Sequence, residues 1–400
     1  MPRGLPKLEA FGEGFQRRGP RGMRQLFLDY NSTTPIAPSV QEAMLPFLAE
    51  HFGDPSQPHA TGRASREAIE DARGQVAHLL GADADEIVFT SGGTESNNLA
   101  LLGVLLRNLP AAGGHLIITA VEHASVAESA RWLERMGYEV TIVGVTGQGM
   151  VQPSAIQAAL RNDTALVSVM HANHETGVVQ PLRQIGDICH SSGILLHTDA
   201  AQSVGKIRTF VDELDVDLLT VAGHKLYAPK GVGALFIRRG LALEPLLRGD
   251  GQERGLRAGM ENVCGIVGLG RAAALAARAL EEAPDRLERL RDQLFSQLQA
   301  IIGDELRLHG ELAPRLPNTL SVSFPEVAAT ELLARIPELC AHAPGGSHTD
   351  TQAASPTLAA MGVDPQQARQ TIRLSLGWYT SEDDIARAAN LLLGAWEALR

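Results

Sequence analysis

Lysine is scarce in this chain: of 35 Lys and Arg residues only four are lysines, Lys7, Lys206, Lys225 and Lys230. Any chemistry that needs a lysine amine has four candidates. Cysteine is scarcer still. Cys189, Cys264 and Cys340 are odd in number and far apart, which excludes a disulfide framework and a CxxC-type zinc site and fits a reducing, cytoplasmic setting. No metal-ligand spacing is present. Nor is there any apolar run near the ~20 residues that cross a bilayer, so no membrane contact is expected. With a net charge of −11 the chain lacks the cationic surplus that nucleic-acid backbones demand. Residues 1–25 are basic and rich in Gly and Pro but have no apolar core, so they read as a flexible tail and not as a secretory signal.

What is present is a 400-residue chain, 44% apolar, long enough for a large core and more than one domain. From residue 26 short β-branched runs alternate with segments of helical period, the texture of an α/β protein with a mostly parallel sheet. The runs Ile87–Thr90, His115–Thr119, Glu139–Val143, Ala165–Met170, Ile194–Thr198, Leu218–Val221 and Gly233–Ile237 give seven strands. Helical period covers Arg66–Leu80 and Ser125–Met136. Near residue 270 the texture changes to one long Ala/Leu/Arg helix, Arg271–Ile302, then a strand region at Leu316–Phe324 and two more helical segments. The division expected is a large domain over 41–284 and a smaller α+β domain built from 26–40 and 285–400.

Three clusters carry chemistry. Thr90–Asn98 reads TSGGTESNN directly after a strand. Two glycines between a strand and a helix start let backbone N–H groups approach a phosphate, although such a pair more often makes only a turn. In His197–Gln202, HTDAAQ, an acid stands at a strand end; it either caps the next helix or faces a protonated ring nitrogen, as the acid paired with pyridoxal 5'-phosphate (PLP) must. In Gly223–Lys225, GHK, a lysine leaves an apolar strand, where partial burial lowers its pKa enough to form a Schiff base.

The order of phosphate cradle, strand-end acid and strand-end lysine resembles that of fold-type I PLP enzymes. The strings LDYNSTTP, SGGTESNN, VEHAS, NHETG, HTDAAQ, GHKLYAPKGVGAL, RLPNTLSVSF and TIRLSLG resemble the cysteine desulfurase and selenocysteine lyase group of class-V aminotransferases over roughly residues 26–395. The resemblance implies a homodimer with shared active sites and an amino-acid substrate. It implies that Lys225 carries PLP and moves the substrate Cα proton, that Asp199 holds the ring-nitrogen proton and that His123 stacks on the ring. It also implies that Gly93, Thr94 and His224 hold the phosphate, that Gln202 meets the ring hydroxyl, and that Asn173, Arg373 and Asn31 meet the substrate carboxylate.

Departures from the pattern gather near the expected pocket. In AHAPGGSHTDTQAASPTLAAMG, which begins at Ala341, Ser347 stands where the group places its nucleophilic cysteine. A serine hydroxyl is neither soft nor ionised near neutral pH, so it cannot take sulfur from a substrate as a thiolate does. Cys340, seven residues earlier, reads as a small apolar residue. Met260 replaces a typical threonine beside Arg257 in the segment Arg257–Asn262 that reaches the neighbouring subunit, Trp378 replaces an arginine, and Asp54 replaces an asparagine. These features point to a PLP-dependent C–S β-lyase acting on an S-substituted cysteine, releasing thiol, pyruvate and ammonia. Selenocysteine lyase, decarboxylation or oxidative deamination of a cysteine S-conjugate, and a catalytically silent homologue are the alternatives.

Overall fold

The computed structural model describes residues 25–107, 114–343 and 355–400. Twelve strands lie among them: β1 (Leu26–Phe27), β2 (Ile87–Thr90), β3 (His115–Thr119), β4 (Glu139–Val143), β5 (Thr164–Ser168), β6 (Leu195–Asp199), β7 (Leu218–Ala222), β8 (Gly233–Ile237), β9 (Arg307–Leu308), β10 (Thr319–Ser323), β11 (Leu339–Cys340) and β12 (Thr371–Ser375). β2 to β8 form one sheet in the order β2-β8-β7-β6-β5-β3-β4. β8 runs antiparallel to both neighbours and every other pair is parallel. The seven strands fall where the apolar runs place them, with β5 and β6 displaced by a residue or two. Most of their residues are buried on both faces, as a sheet covered by helices requires.

The helix Ala60–Leu80 covers one face together with Val263–Ala279. Its ends are marked in the sequence: the His59 side chain accepts the Gly62 N–H, and Gly81 closes the helix in the left-handed region. The two helices touch so closely that a Cβ on Gly270 would lie 2.5 Å from the Ala72 Cα, so only glycine fits there.

The long helix expected over Arg271–Ile302 is two helices, Val263–Ala279 and Ala283–Ile302, meeting at 74°. The Ala/Leu/Arg period runs through the break, but Pro284 begins the second helix and cannot continue the first. This second helix packs Leu290, Leu294 and Leu298 against Val322, Ile372 and Trp396, a core built on the antiparallel strands β9, β10 and β12. Each such side chain stabilises by roughly 1.5–3 kcal/mol over exposure. β1 and β11 pair in parallel, bringing residues 26–27 to the same end of the chain's fold as the C-terminal segments. Four helices follow β10, not the two expected, because β11 and β12 interrupt the helical period.

One surface tie makes folding pH-dependent. His190, in the last turn of the helix Leu182–Ser191, places Nδ1 3.1 Å from Asp215 and Nε2 2.9 Å from Asp217. Burial opposes its charge, but the hydrogen bond to Asp217 and the charges of Asp217 and Asp215 outweigh it and raise the His190 pKa. A raised folded-state pKa contributes stability that is full below the unfolded value of about 6.5 and is lost as pH rises through the folded value. Urea midpoints of the wild type should therefore fall from about pH 6.5 upward, and His190→Gln should flatten that slope. An unchanged slope in the variant would remove His190 from the account. The ring is partly open to solvent, so the effect is small.

Candidate active site

Four neighbouring parallel strands, β7, β6, β5 and β3, deliver their carboxyl ends to one crevice, the place where open α/β sheets bind ligands. Lys225 and His224 follow β7, Asp199 ends β6, Met170 follows β5 and His123 follows β3. The crevice is a cavity of about 440 Å³. Gly93 and Thr94 open the helix Gly93–Arg107 on one side, while Asn31, Ser32, His342 and Arg373 close the other. Gly93 lets that helix start against β7, because a Cβ there would lie 3.2 Å from the Ala222 Cβ.

Lys225 lies in a short 3-10 turn, Gly223–Lys225. Tyr227, two residues on, has a left-handed φ of 62°, held by its N–H donating to Thr34 Oγ1 at 2.8 Å and by its carbonyl accepting from Ala37 N–H at 3.1 Å. Strain of this kind persists only where the surroundings over-determine it. Lys225 Nζ donates to the carbonyls of Asn31, at 2.5 Å, and Ser32, at 3.0 Å. Burial and then the Arg373 charge lower the amine to about 8, against the opposing pull of Asp199 and Asp29.

A chain of hydrogen bonds joins the acid to the histidine. Asn97 Nδ2 donates to Asp199 Oδ2 at 2.7 Å and to Ser125 Oγ at 2.8 Å, and Ser125 Oγ meets His123 Nδ1 at 2.8 Å. The Ser125 N–H donates to the same Nδ1, so a neutral His123 carries its proton on Nε2. Asp199 Oδ1 accepts the Ala201 N–H at 3.0 Å. At the far end Arg373 donates to Asp29 Oδ1 at 2.6 Å, to Ser32 Oγ at 2.7 Å and to the His174 carbonyl at 2.9 Å. Burial pushes His224 and His342 down to about 4, with Lys225 helping the first and Arg373 the second, so both are neutral. Burial likewise pushes the Glu122 carboxyl, which accepts from Thr119 Oγ1 and the Met170 N–H, up to about 8.

The profile of the class-V aminotransferase family matches residues 26–388. The chain belongs to the class-V aminotransferase family. A protein of Dictyoglomus turgidum named cysteine desulfurase IscS is 43% identical over 94% of this chain and 96% of its own length. Another of Archaeoglobus fulgidus, named cysteine desulfurase IscS 1, is 41% identical over 94% and 97%. Among solved structures, a NifS-like protein superimposes with a TM-score of 0.86 at 36% identity, covering 94% of this chain and 99% of that one. SspA in complex with cysteine gives a TM-score of 0.78 at 34% identity, over 89% and 99%. The chain is therefore a PLP-dependent enzyme of the cysteine desulfurase group with the fold-type I architecture.

The cavity fits that cofactor on its own terms. Its lining carries two basic side chains, Lys225 and Arg373, one acid, Asp199, and a 15-residue helix that begins at Gly93, a set suited to an anion bearing a phosphate, a carbonyl and a basic ring nitrogen. Three buried polar atoms of lining residues have no partner among the described residues: Asn97 Oδ1, His174 Nδ1 and Arg373 Nε. Buried polar groups are seldom left so, and a polar ligand would satisfy them.

Of the residues singled out in the sequence, the cavity gathers Lys225, Asp199, His123, Gly93, Thr94, Gln202, His224, Asn31 and Arg373. Others lie elsewhere. Asn173, expected at the substrate carboxylate, is buried in its own turn, its Oδ1 accepting the N–H groups of Glu175 and Thr176. Trp378 is buried outside the cavity, its ring stacked on that of Tyr227 at 3.8 Å and its backbone N–H donating to the Tyr227 hydroxyl. Arg257 donates to Glu95 at 3.1 Å beside the cavity, and Met260 is 60% exposed. Asp54 caps a turn through the Ser56 N–H. Ser347 lies outside the described residues. His174, His342, Ser32, Asn97 and Ser125 are cavity residues that sequence reasoning missed. All five belong to quoted strings, Ser32 to LDYNSTTP, Asn97 to SGGTESNN, Ser125 to VEHAS, His174 to NHETG and His342 to AHAPGGSHTDTQAASPTLAAMG; what no string displays is that His342 meets the cavity, which the β-bridge between His342 and Arg373 brings about.

Proposed function

We propose that the protein cleaves the Cβ–S bond of an S-substituted cysteine by β-elimination, with water completing the reaction to thiol, pyruvate and ammonia. The observation that carries this reading is the lack of a thiol at the cavity: among the described residues no cysteine lines it. Cys189 is buried, its thiol pushed up to about 12 by burial and by Asp217 and Asp215. Cys264 meets the Met44 carbonyl on a helix, and Cys340 pairs with Phe27 between β11 and β1. A sulfur leaving group departs from a β-elimination without any enzyme nucleophile.

Lys225, Asp199, Gln202, His224, Gly93 and Thr94 would hold PLP, which supplies the electron sink that makes the substrate Cα proton removable. Arg373 and Asn31 would orient the substrate carboxylate. Lys225, with an amine near 8, is suited to take the Cα proton at neutral pH. The proton that Lys225 takes from Cα can pass on to the departing sulfur, and the Nε2 N–H of His123 can donate a hydrogen bond to it. Two copies of the chain, each lending Arg257–Asn262 to the other's site, and a PLP-binding unit over 41–284 with a smaller unit from 26–40 and 285–400, belong to the same proposal.

The names of the relatives favour a second reading, sulfur transfer from cysteine itself. A panel of cysteine S-conjugates, with cysteine and selenocysteine alongside, separates the two. Pyruvate and free thiol in equal amounts support elimination. Alanine from cysteine with no pyruvate overturns it in favour of sulfur transfer. Ser347→Cys adds a control: a pocket rebuilt for elimination should gain no alanine from cysteine, whereas a gain of about 10²-fold or more would mark a desulfurase disabled at one position.

A further inference from the structure

Lys206 is the one lysine near the cavity to which no role has been given. It is half-buried, and its Nζ donates to Asn31 Oδ1 at 3.0 Å and to Gln202 Oε1 at 2.9 Å. Both acceptors are neutral amides of cavity-lining residues. Asn31 Oδ1 has a second donor in Asn318 Nδ2, at 3.1 Å, and its Nδ2 donates to Thr319 Oγ1 at 2.9 Å. Among the described residues Gln202 Oε1 accepts from Lys206 alone. With the oxygen so engaged, Gln202 Nε2 faces the Asn31 carbonyl at 3.0 Å, the same carbonyl that receives Lys225 Nζ. An amide can present either end to its surroundings, and a flipped Gln202 would turn an NH2 group toward the amine and lose that bond.

We propose that Lys206 is a positioning residue: by donating to Gln202 Oε1 and Asn31 Oδ1 it holds the Gln202 amide in one orientation beside Lys225. The inference rests on the reading that Lys225 binds PLP. It differs from a packing role because its effect on the cofactor runs through Gln202, the bond to Asn31 Oδ1 serving to anchor the ammonium, so the loss of Gln202 should cancel it.

Lys206→Met keeps the apolar stem and removes the donor. It should weaken PLP retention by about threefold to tenfold, the worth of one hydrogen bond, and alter the visible circular dichroism of the bound cofactor. In a Gln202→Ala background the same substitution should change neither, because coupled residues are non-additive. Equal effects in both backgrounds, or no effect in either, overturn the proposal. Lys206→Gln, which keeps a donor on a shorter stem, is run through the same cycle should the methionine variant fail to fold. Borohydride reduction of the PLP-loaded wild type, followed by peptide mapping, tests the reading beneath it. A label on Lys225 supports it, a label on Lys206 overturns the positioning role, and no label removes the Lys225 reading and the proposal with it.

Discussion

Lys225→Ala should lose the PLP that borohydride fixes in the wild type, and thiol and pyruvate release from a cysteine S-conjugate should fall by about 10²–10⁴-fold or more. Only a lysine amine can both join the cofactor and move a proton at this place, and the neighbouring lysine, Lys206, is committed to two amides. The environment of Lys225 adds a quantitative expectation. Its amine sits near 8 because burial, then Arg373, disfavour the ammonium. At pH 7.5 roughly a quarter of such a group is free base, against about a thousandth of an ordinary lysine. Reconstitution of the apoprotein with PLP should therefore rise with pH and level off above about 8, measured as growth of the cofactor absorbance. A rate still climbing steeply toward pH 10 would show that the crevice does not tune this amine. Retention of the borohydride label by Lys225→Ala would show that another of the four lysines is used.

How much of this was legible in the residue order follows a physical division. β2, β3 and β5 to β8 are short, apolar and buried on both faces, so local composition marks them without help from the rest of the chain, while the edge strand β4 is partly exposed but keeps a β-branched run. Lys225, Asp199 and His123 stand just past or at the ends of those strands, and a strand end is a place that sequence can find. The break at Leu280–Glu282 escaped because good helix formers continue across it, and only Pro284 signals the turn. Trp378 follows the strand that carries Arg373, yet it packs on Tyr227, a contact between residues 151 apart. His342 and His174 lie in quoted strings, yet their places at the cavity depend on the bridge to Arg373 and the carbonyl that Arg373 bonds, long-range contacts that no single segment displays.

Glu253→Ala should be the most destabilising substitution outside the hydrophobic core, costing about 3–5 kcal/mol in equilibrium urea unfolding. Arg73 Nη1 and Nη2 donate to the two Glu253 oxygens at 2.8 Å each, and both side chains are almost wholly buried. Glu253 Oε2 also accepts the Phe89 N–H at 2.8 Å, so one carboxylate ties the helix Ala60–Leu80 to β2. Without it, among the described residues, the guanidinium keeps the Ile87 carbonyl, the face of the Phe89 ring and the exposed Glu70. Replacing both members by apolar residues, Arg73→Met with Glu253→Leu, should recover about half of the loss, since burial of a charge and not loss of attraction dominates the cost. What remains should be near 1–3 kcal/mol, the Phe89 N–H having lost its acceptor. Backbone conformation supplies a second comparison. Glu253 and Arg254 both adopt left-handed φ, 46° and 57°, in the loop that goes on to Arg257 and Met260. Glycine adopts that region freely, so Glu253→Gly should be about 1 kcal/mol less damaging than Glu253→Ala although it removes the same carboxylate. Equal losses for the two variants would mean that the pair, and not the paired residue's backbone, sets the whole energy of the loop. A double substitution as unstable as Glu253→Ala would refute the account of the buried pair.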